Sequence, residues 1–453
     1  MNSKPINDSG KVAVIGAGPA GLFAARELVQ AGCQVTLLNR DIRPGGLAEY
    51  GIYPLKLKIK EGLRNQFRQI LSIPEITYYG NVTVGDHGDL HLAELQQAGF
   101  DAILVCAGAQ RNRHLGLPGE DLKGVYHAND LVYHYNSMPP FSHACPKIGK
   151  KALVIGAGNV MTDITCYLIH ELKIDQVTVV ARRGPLQVKF EKKQFERISA
   201  NLNLEDFDDQ LRTIDPLLRS IGEDPDEARN IFYECLPKAE EKNSDTRFFI
   251  RFLASPYRFI GNKDGKLIGV ELTKNILTMK DGEVQAIPTE EVMCLPADTV
   301  ILAIGNQVES DLGLPVIKGE YAKNPTPEFP IEDLSYEAFD PVQNKPIEGV
   351  FLAGWSRKAS EGLVGHARKD GVNGAHAVIQ YLASRQPGKS DCMAWLNDRL
   401  QQLPHPVVTW KNIQELEKNE RRIAIEKNLL QFIYPTNDQM LASMGLIKEI
   451  PGQ

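Results

Sequence analysis

The segment KVAVIGAGPAG, residues 11–21, decides the fold of this chain. The β-branched run Lys11–Ile15 predicts a strand, and the apolar-periodic segment that ends near Ala31 predicts a helix. The spacing G-x-G-x-x-G lies between them, and Gln34–Leu38 predicts the next strand. Together they form a βαβ unit of about thirty residues, which favours a dinucleotide-binding turn over a structural glycine turn.

Each glycine of this turn has its own physical task. Gly16 permits the tight turn, Gly18 lets backbone amides approach a pyrophosphate, and Gly21 lets the helix pack on its strand. The pyrophosphate is then stabilised by the free N–H groups and the dipole at the helix N-terminus. The predicted contacts come from Gly16, Ala17, Gly18, Pro19, Ala20 and Gly21.

A second βαβ unit begins at Lys151. A strand is predicted at residues 152–155, a helix that ends near Leu172, and a further strand at Gln176–Val180. Met161 stands where the third small residue of the motif belongs, so a purely structural crossover is the competing interpretation. The turn residues of this unit are Gly156, Ala157, Gly158, Asn159 and Val160.

The residues that follow the second strand of each unit distinguish the two dinucleotides. In the first unit, Asn39 stands where an acidic residue normally accepts hydrogen bonds from ribose hydroxyls, and its amide binds a hydroxyl more weakly. In the second unit, Arg182 and Arg183 suit a 2′-phosphate, because guanidinium groups form bidentate bonds to phosphate oxygens. This favours NADP over NAD, and a solvated surface pair is the alternative.

Three further strands that run into glycine complete the pattern: Ala102–Cys106, Thr299–Ala303 and Val350–Ala353. We interpret the first two as crossings between domains. The third precedes a helix that ends near Leu382 and returns a helix N-terminus to the first nucleotide. The predicted fold is α/β with two Rossmann-like domains, in which residues 114–305 are inserted into a domain built from 1–113 and 306–453.

Composition excludes several classes of protein. The 453 residues are 43% hydrophobic and 24% charged, which is typical of globular chains, and the net charge of −6 argues against nucleic-acid binding. No apolar run is long enough for a membrane span, so a cytoplasmic location is expected. None of the seven cysteines lies within four residues of another, which argues against a disulfide framework, a thiolate metal site or a redox pair. No metal site is predicted.

The chain resembles adrenodoxin reductase and the related bacterial ferredoxin–NADP reductases, two-domain FAD and NADPH flavoenzymes of the glutathione-reductase-like superfamily. The spacing of several segments together is specific for this resemblance, which covers most of the chain. These segments are the first glycine motif, Gly45–Leu47 with Tyr50–Ile52, Tyr79–Val82, Leu117–Glu120, Gly156–Val160 with Asp163, Arg182–Gln187, Arg251–Leu253, Gly354–Trp355 and Val408–Trp410.

The resemblance implies two sets of cofactor contacts. FAD would be held by the first glycine turn with Asn39, Leu47, Val82, Trp355, Gly362, Leu363 and Val364. NADP would be held by the second glycine turn with Arg182, Arg183, Gln194 and Gly362. The predicted cofactor-binding residues also include Arg40, Gly46, Ala107, Gly108 and Gly354.

Two residues are candidates for a catalytic role. Asp163 is interpreted as a polar anchor near the nicotinamide or, equally, as a first-turn carboxylate favoured by the helix dipole. Lys56 stands where family members commonly carry histidine. Other departures from the family pattern are Gln194 for glutamate, Cys166 for arginine, and residues 359–362 for a Gly-Pro-Thr-Gly turn.

The implied activity is hydride transfer from NADPH to FAD and electron transfer onward to an acidic, ferredoxin-like carrier. Such a carrier needs a basic docking face, and two helical stripes are candidates unless they are merely solvated. The first stripe is Lys56, Lys60, Arg64 and Arg68. The second stripe is Lys189, Lys193 and Arg197, with Lys192 beside them.

Three other functions are considered. An electron-input subunit similar to the small subunit of glutamate synthase would carry a cysteine-rich iron–sulfur region, which this sequence lacks. A disulfide reductase of the thioredoxin reductase type needs two close cysteines, which the spacing excludes. A non-enzymatic FAD- and NADP-binding protein is kept open by Asn39, Lys56 and Gln194.

Overall fold

A computed structural model describes residues 10–359, 362–385 and 391–448. The α-helices, numbered in chain order, are α1 (Pro19–Gln30), α2 (Leu47–Tyr50), α3 (Leu57–Leu71), α4 (Leu92–Ala98), α5 (Ala128–Tyr135), α6 (Asn159–Cys166), α7 (Lys192–Phe195), α8 (Leu204–Ser220), α9 (Pro225–Tyr233), α10 (Val364–Ala383), α11 (Cys392–Gln401), α12 (Trp410–Glu426) and α13 (Asn437–Ser443).

The strands, likewise in chain order, are β1 (Lys11–Ile15), β2 (Gln34–Asn39), β3 (Ile76–Gly80), β4 (Ala102–Val105), β5 (Arg111–Asn112), β6 (Val125–His127), β7 (Lys151–Ile155), β8 (Gln176–Val180), β9 (Arg247–Arg251), β10 (Ala254–Gly261), β11 (Leu267–Lys280), β12 (Glu283–Pro296), β13 (Thr299–Leu302), β14 (Asn306–Gln307), β15 (Val316–Ile317), β16 (Glu320–Tyr321), β17 (Glu337–Asp340), β18 (Lys345–Leu352) and β19 (Val408–Thr409).

The predicted α/β fold is confirmed, and both βαβ units form where the sequence places them. The helix predicted to end near Leu172 is α6, which continues as a π-helical turn over Tyr167–Glu171. Among the described helices, none combines the length and apolar character that a membrane crossing requires.

The described residues divide into two compact units. Unit 1 contains the residues up to 112, residues 133–143 and those from 305 onward, and unit 2 contains Arg113–Val132 and Ala144–Ile304. Unit 1 therefore draws on both ends of the chain. Unit 2 is a single stretch apart from the short segment that belongs to unit 1.

Unit 1 is built on a seven-stranded sheet of order β17-β18-β4-β1-β2-β3-β19. The five inner strands run parallel, and β17 and β19 close the two edges in the antiparallel sense. In β1, Val12, Ala13 and Val14 are fully buried, as expected for a parallel strand covered on both faces. Helix α10 lies against α1, where Gly371 allows its backbone to approach the carbonyl of Ala20.

Unit 2 contains a five-stranded parallel sheet of order β6-β13-β7-β8-β9 and a three-stranded antiparallel sheet of order β10-β11-β12. The acidic stretch between β8 and β9 folds into α8 and α9, whose apolar faces bury Phe207 and Phe232. The two rings lie 4.9 Å apart between centroids. The acidic side chains of these helices therefore belong to the opposite, solvated faces.

Helix α12, the penultimate helix of the described residues, is anchored within unit 1 by a buried ion pair. Arg43 and Glu420 contact each other, and each side chain is 7% exposed. Glu420 also accepts a hydrogen bond of 2.9 Å from the backbone N–H of Tyr434. The carboxylate therefore fixes both the helix and the chain that follows it.

Removal of this carboxylate should destabilise the protein far more than removal of an exposed one on the same helix. We expect Glu420→Ala to lower the free energy of unfolding by about 3–5 kcal/mol, because a buried guanidinium loses its partner. The matched control is Glu426→Ala, which breaks the exposed pair with Arg422 and should cost at most about 1 kcal/mol. Chemical denaturation measures both, and equal losses would contradict the assignment.

Candidate functional site

The first glycine turn is closed by contacts that only glycine allows. Gly16 has a φ of +102°, and a Cβ on it would lie 2.4 Å from the carbonyl oxygen of Cys106. A Cβ on Gly21 would lie 1.9 Å from the carbonyl oxygen of Gly16. Both glycines are therefore required by the packing of the turn itself, which brings α1 directly onto β1.

Gly18 differs from its neighbours, because nothing in the protein requires glycine there. It is the N-cap of α1 with a φ of −77° and a ψ of −176°, a conformation open to any residue. A Cβ on Gly18 would meet no atom within 4 Å, and no side chain caps the helix. The N–H groups of the first turn thus face space that is open to an approaching anion.

The side chain of Asn39 stabilises the first glycine turn through hydrogen bonds. Its side-chain oxygen accepts a hydrogen bond of 3.0 Å from the N–H of Ala17, and its NH₂ group donates to the carbonyls of Asp41 at 2.7 Å and Arg43 at 3.0 Å. A carboxylate could not make the last two bonds, which is a physical reason for an amide at this buried position. The neighbouring Arg40 is exposed and donates to Gln110 at 2.5 Å.

Other predicted residues of unit 1 gather around the same turn. A Cβ on Gly46, the N-cap of α2, would lie 3.2 Å from the Cα of Gly18, so Gly46 and Leu47 lie beside the turn. The N–H of Val82 donates to the carbonyl of Asn39 at 3.0 Å. The structure therefore brings these residues together with the helix N-terminus.

The segment around Trp355 reaches α1 from the other side. A Cβ on Gly354 would lie 2.6 Å from the Cβ of Ala20, and the N–H of Gly108, which follows Ala107, donates to the hydroxyl of Ser356 at 3.0 Å. Trp355 is half-buried. Gly362 and Leu363 are exposed and lead into Val364, the first residue of α10, whereas residues 360 and 361 lie outside the described residues.

A polar cluster that sequence reasoning missed holds this segment in place. Asp370 accepts hydrogen bonds from the N–H of Gly354 at 2.6 Å and from Nε of Arg357 at 3.0 Å. The hydroxyl of Tyr336 donates to the same carboxylate at 3.1 Å. No short motif contains these residues, so only the packing of α10 could reveal the cluster.

The second glycine turn repeats the first in unit 2. Gly156 has a φ of +128°, and a Cβ on it would lie 2.3 Å from the carbonyl oxygen of Ala303. Gly158 is the uncapped N-cap of α6, and a Cβ on it would again meet no atom within 4 Å. Residues that follow β8 hold the turn, since the N–H of Lys189 donates to Ala157 at 2.8 Å and that of Glu191 to the side chain of Asn159 at 2.8 Å.

The third position of this motif is occupied by Met161, which is 1% exposed and packs in the interior of unit 2. The preceding residue, Val160, is 44% exposed. The turn is therefore apolar towards the interior and open at its tip.

Arg182 and Arg183 follow β8 after Ala181, at the end of the sheet where the second turn begins. Their backbone is fixed, because the buried Asn275 donates to the carbonyl of Arg182 at 2.7 Å and the N–H of Leu253 donates to that of Arg183 at 3.3 Å. Neither guanidinium makes a hydrogen bond or an ion pair within the described part of the chain. Two arginines with a fixed backbone therefore follow the strand that pairs with β7, and β7 leads into the uncapped N-terminus of α6.

Asp163 lies on α6 and forms an ion pair of 3.1 Å with Arg197. The other terminal nitrogen of Arg197 lies 2.9 Å from the sulfur of Cys166. These contacts place Arg197, which is 11% exposed, among the internal groups of unit 2. Arg197 therefore belongs neither to an exposed docking face nor to a solvated helix face, whereas Lys189 and Lys193 are exposed. Gln194 is half-buried in the short helix α7.

The first basic stripe is not a docking face. Lys60 is 3% exposed and donates to the side-chain oxygen of Asn136 at 2.9 Å, and burial lowers its pKa to about 8. Arg64 pairs with the buried Glu49, and Arg68 pairs with Glu417. That prediction is wrong, because these cations are used inside unit 1. Lys56, the candidate catalytic lysine, is the N-cap of α3.

Comparison with known proteins identifies the family of this chain. The sequence model of the pyridine nucleotide-disulphide oxidoreductase family matches residues 10–206, which include both glycine turns. The NADPH-ferredoxin reductase FprA of Mycobacterium leprae is 30% identical over 451 residues, which span 90% of this chain and 93% of that protein. This chain belongs to the NADPH-ferredoxin reductase family.

Two further relatives extend the comparison of this reductase. The mitochondrial NADPH:adrenodoxin oxidoreductase of Arabidopsis thaliana is 26% identical, over 98% of this chain and 96% of that protein. A solved structure of a variant of FprA from Mycobacterium tuberculosis is 25% identical, with a TM-score of 0.79, and covers 96% of this chain and 100% of that one. The resemblance inferred from the sequence is confirmed.

Gly18 and Gly21 of the first glycine turn should respond differently to substitution by alanine. We expect Gly21→Ala to cost more than about 3 kcal/mol of unfolding free energy in this reductase, because its Cβ would overlap the carbonyl of Gly16. Gly18→Ala has open space and should cost about 1 kcal/mol or less. Denaturation of both variants without added cofactor tests this, and a reversed order would refute the packing argument.

Proposed function

We propose that this chain is an NADPH-dependent flavoprotein oxidoreductase that binds FAD in unit 1 and NADPH in unit 2, and passes electrons to a small acidic, ferredoxin-like protein. The observation that carries the proposal is a pair of open glycine turns, of which only the second is followed by two unpaired arginines. The relatives named NADPH-ferredoxin reductase and NADPH:adrenodoxin oxidoreductase support it.

The residues of unit 1 fit FAD. The uncapped N-terminus of α1 and the open face of Gly18 suit a pyrophosphate, because free N–H groups and the helix dipole stabilise an anion. The side-chain oxygen of Asn39 keeps a lone pair beyond its bond to Ala17, which suits a ribose hydroxyl. Trp355 is held near the start of α1 by the bond between Gly354 and Asp370 and supplies an aromatic face.

The residues of unit 2 fit NADPH. Gly158 offers the same open N-terminus to a pyrophosphate. Arg182 and Arg183 supply fixed positive charge for a 2′-phosphate, which NADH lacks. Asp163 lies on α6 behind the same turn and is proposed to position the nicotinamide, and its pair with Arg197 holds its carboxylate in place.

When bound, these cofactors supply hydride transfer between NADPH and the flavin and the release of electrons to a one-electron carrier. The protein contributes anion binding at two helix N-termini and discrimination between NADPH and NADH at Arg182 and Arg183. It also contributes the orientation of Asn39, Asp163 and Trp355 through the hydrogen bonds described above. No acid–base residue is needed for a hydride step.

A dithiol mechanism does not fit the cysteines. All seven are free, and Cys106, whose carbonyl contacts the first glycine turn, is buried. Burial raises the pKa of the Cys106 thiol far above neutrality, so this group stays protonated and unreactive. Transfer to a protein carrier therefore fits the chain better than reduction of a disulfide.

The choice between NADPH and NADH tests the assignment of Arg182 and Arg183. Under anaerobic conditions, NADPH should bleach the flavin band of the purified protein much faster than NADH. The double variant Arg182→Glu/Arg183→Glu should weaken NADPH about 100-fold or more, since two charge-assisted bonds are lost, and leave NADH nearly unchanged.

The matched control for that experiment is Lys263→Glu/Lys280→Glu, which reverses two exposed charges elsewhere in unit 2 and should alter neither cofactor. Equal losses for NADPH and NADH in the arginine variant would refute the 2′-phosphate assignment. A protein that takes up no FAD would refute the proposed function.

The docking face is proposed at Lys189 and Lys193, which are exposed and make no ion pair within the described residues. Lys192 is less suited, because it pairs with Glu234. Lys189→Glu/Lys193→Glu should raise KM for an acidic ferredoxin about tenfold and flatten its salt dependence, with little change in the rate of flavin reduction by NADPH. Unchanged KM in this variant, with the Lys263→Glu/Lys280→Glu control unchanged as well, would exclude this face.

A further inference from the structure

Two histidines and a glutamate meet in unit 2, at residues the proposed redox chemistry does not use. The side chains are His114, Glu120 and His127, whose potential ligand atoms all lie within 4.8 Å of one another. Nδ1 of His114 is 3.3 Å from Oε1 of Glu120, and the two imidazole rings are 4.7 Å apart between centroids. A tetrahedral zinc ion with bonds of about 2.0–2.2 Å holds its ligand atoms about 3.3–3.6 Å apart. The pair His114–Glu120 already has this spacing, and the remaining separations, of up to 4.8 Å, close by side-chain rotation.

We propose that His114, Glu120 and His127 form a binding site for a divalent transition-metal ion, with Zn²⁺ as the preferred occupant. Two imidazole nitrogens and one carboxylate oxygen suit Zn²⁺ and its neighbours among the late transition metals, whereas Mg²⁺ and Ca²⁺ prefer oxygen ligands alone. Three protein ligands leave one position of the tetrahedron to water.

The carboxylate is already oriented for this role. One oxygen of Glu120 accepts the N–H of Leu115 at 3.0 Å, and the other accepts the N–H of Gly116 at 2.7 Å and, more weakly, that of Leu117 at 3.4 Å. Burial opposes its charge, but these donors outweigh it and lower the pKa of the Glu120 carboxyl. Such outer contacts fix metal ligands in position and keep the carboxylate ionised.

The two histidines complement each other. His127 is half-buried, and its ring lies edge-to-face against that of His114 at 4.7 Å between centroids. His114 is 65% exposed and can turn towards an ion without disturbing the core. Glu120 and His127 are therefore already held in position, whereas the exposed His114 can adjust to an ion that enters from solvent.

The position of the site indicates what a bound ion would do. His127 is the last residue of β6 and is in register with Leu302 of β13, which is itself paired with Ile155, the residue before the second glycine turn. The ion would tie the loop of residues 114–120 to the edge of the sheet from which that turn begins. We expect it to stabilise unit 2, since an ion that binds only the folded state shifts unfolding to higher temperature.

The test uses the full-length protein with FAD bound, without a histidine tag, in a Cys145→Ser/Cys294→Ser background because these two thiols are exposed. Zn²⁺ is titrated by calorimetry in competition with a chelator, and Co²⁺ reports coordination geometry by its visible absorption. We expect one Zn²⁺ per chain, a tetrahedral Co²⁺ spectrum and a saturable rise in Tm.

His114→Ala and His127→Ala should each weaken Zn²⁺ at least tenfold and abolish the rise in Tm, whereas His143→Ala, which removes an exposed histidine elsewhere, should change neither. Because His114 is exposed, His114→Ala will fold even if His127→Ala does not. Zn²⁺ binding that is unaffected by His114→Ala, or a wild-type protein that binds no Zn²⁺, would overturn the proposal. Neither readout depends on turnover, so the site stands or falls separately from the proposed reductase function.

Discussion

The architecture of both units depends on a close approach between two pieces of backbone where a parallel strand turns into a helix. At Gly16 and Gly21, and again at Gly156, no Cβ fits between the turn and the neighbouring carbonyl. The helix therefore lies directly on the sheet, and its N–H groups reach the edge where the parallel strands end. The open space over Gly18 and Gly158 follows from this packing and gives each unit one place for an anion.

The arginines discussed above fall into two groups: those that pair with a carboxylate of the protein, and those that have no partner among the described residues. Arg43, Arg64 and Arg197 are all held by carboxylates, and the pair of Arg43 with Glu420 links elements that are far apart in sequence. Arg182 and Arg183 differ, because the protein fixes their backbone while their guanidinium groups have no partner among the described residues, and for this reason we propose them for the 2′-phosphate. A count of basic residues cannot separate these two roles, whereas the hydrogen-bond partners of each side chain can.

The βαβ units could be predicted from the sequence, because strand, turn and helix lie within about thirty consecutive residues and glycine spacing reports backbone geometry. The internal contacts of the first basic stripe could not be predicted in this way. Lys60 lies on the periodic face of a helix, but its partner Asn136 is 76 residues away, and nothing local indicates that the face is buried. The same holds for Arg197 with Asp163, and for Asp370, which fixes Gly354 from within a helix. Contacts between side chains that are distant in the sequence cannot be inferred from the periodicity of one segment.

The order of strands in unit 1 has a consequence for biosynthesis. Strand β4 pairs with β1 on one side and with β18 on the other, yet roughly 240 residues separate Val105 from Lys345. At about 5–20 residues per second, a ribosome takes about 12–48 s to make them. During that interval β4 is an unpaired edge strand of the nascent sheet. Other polypeptides can associate with this edge until β18 has been synthesised.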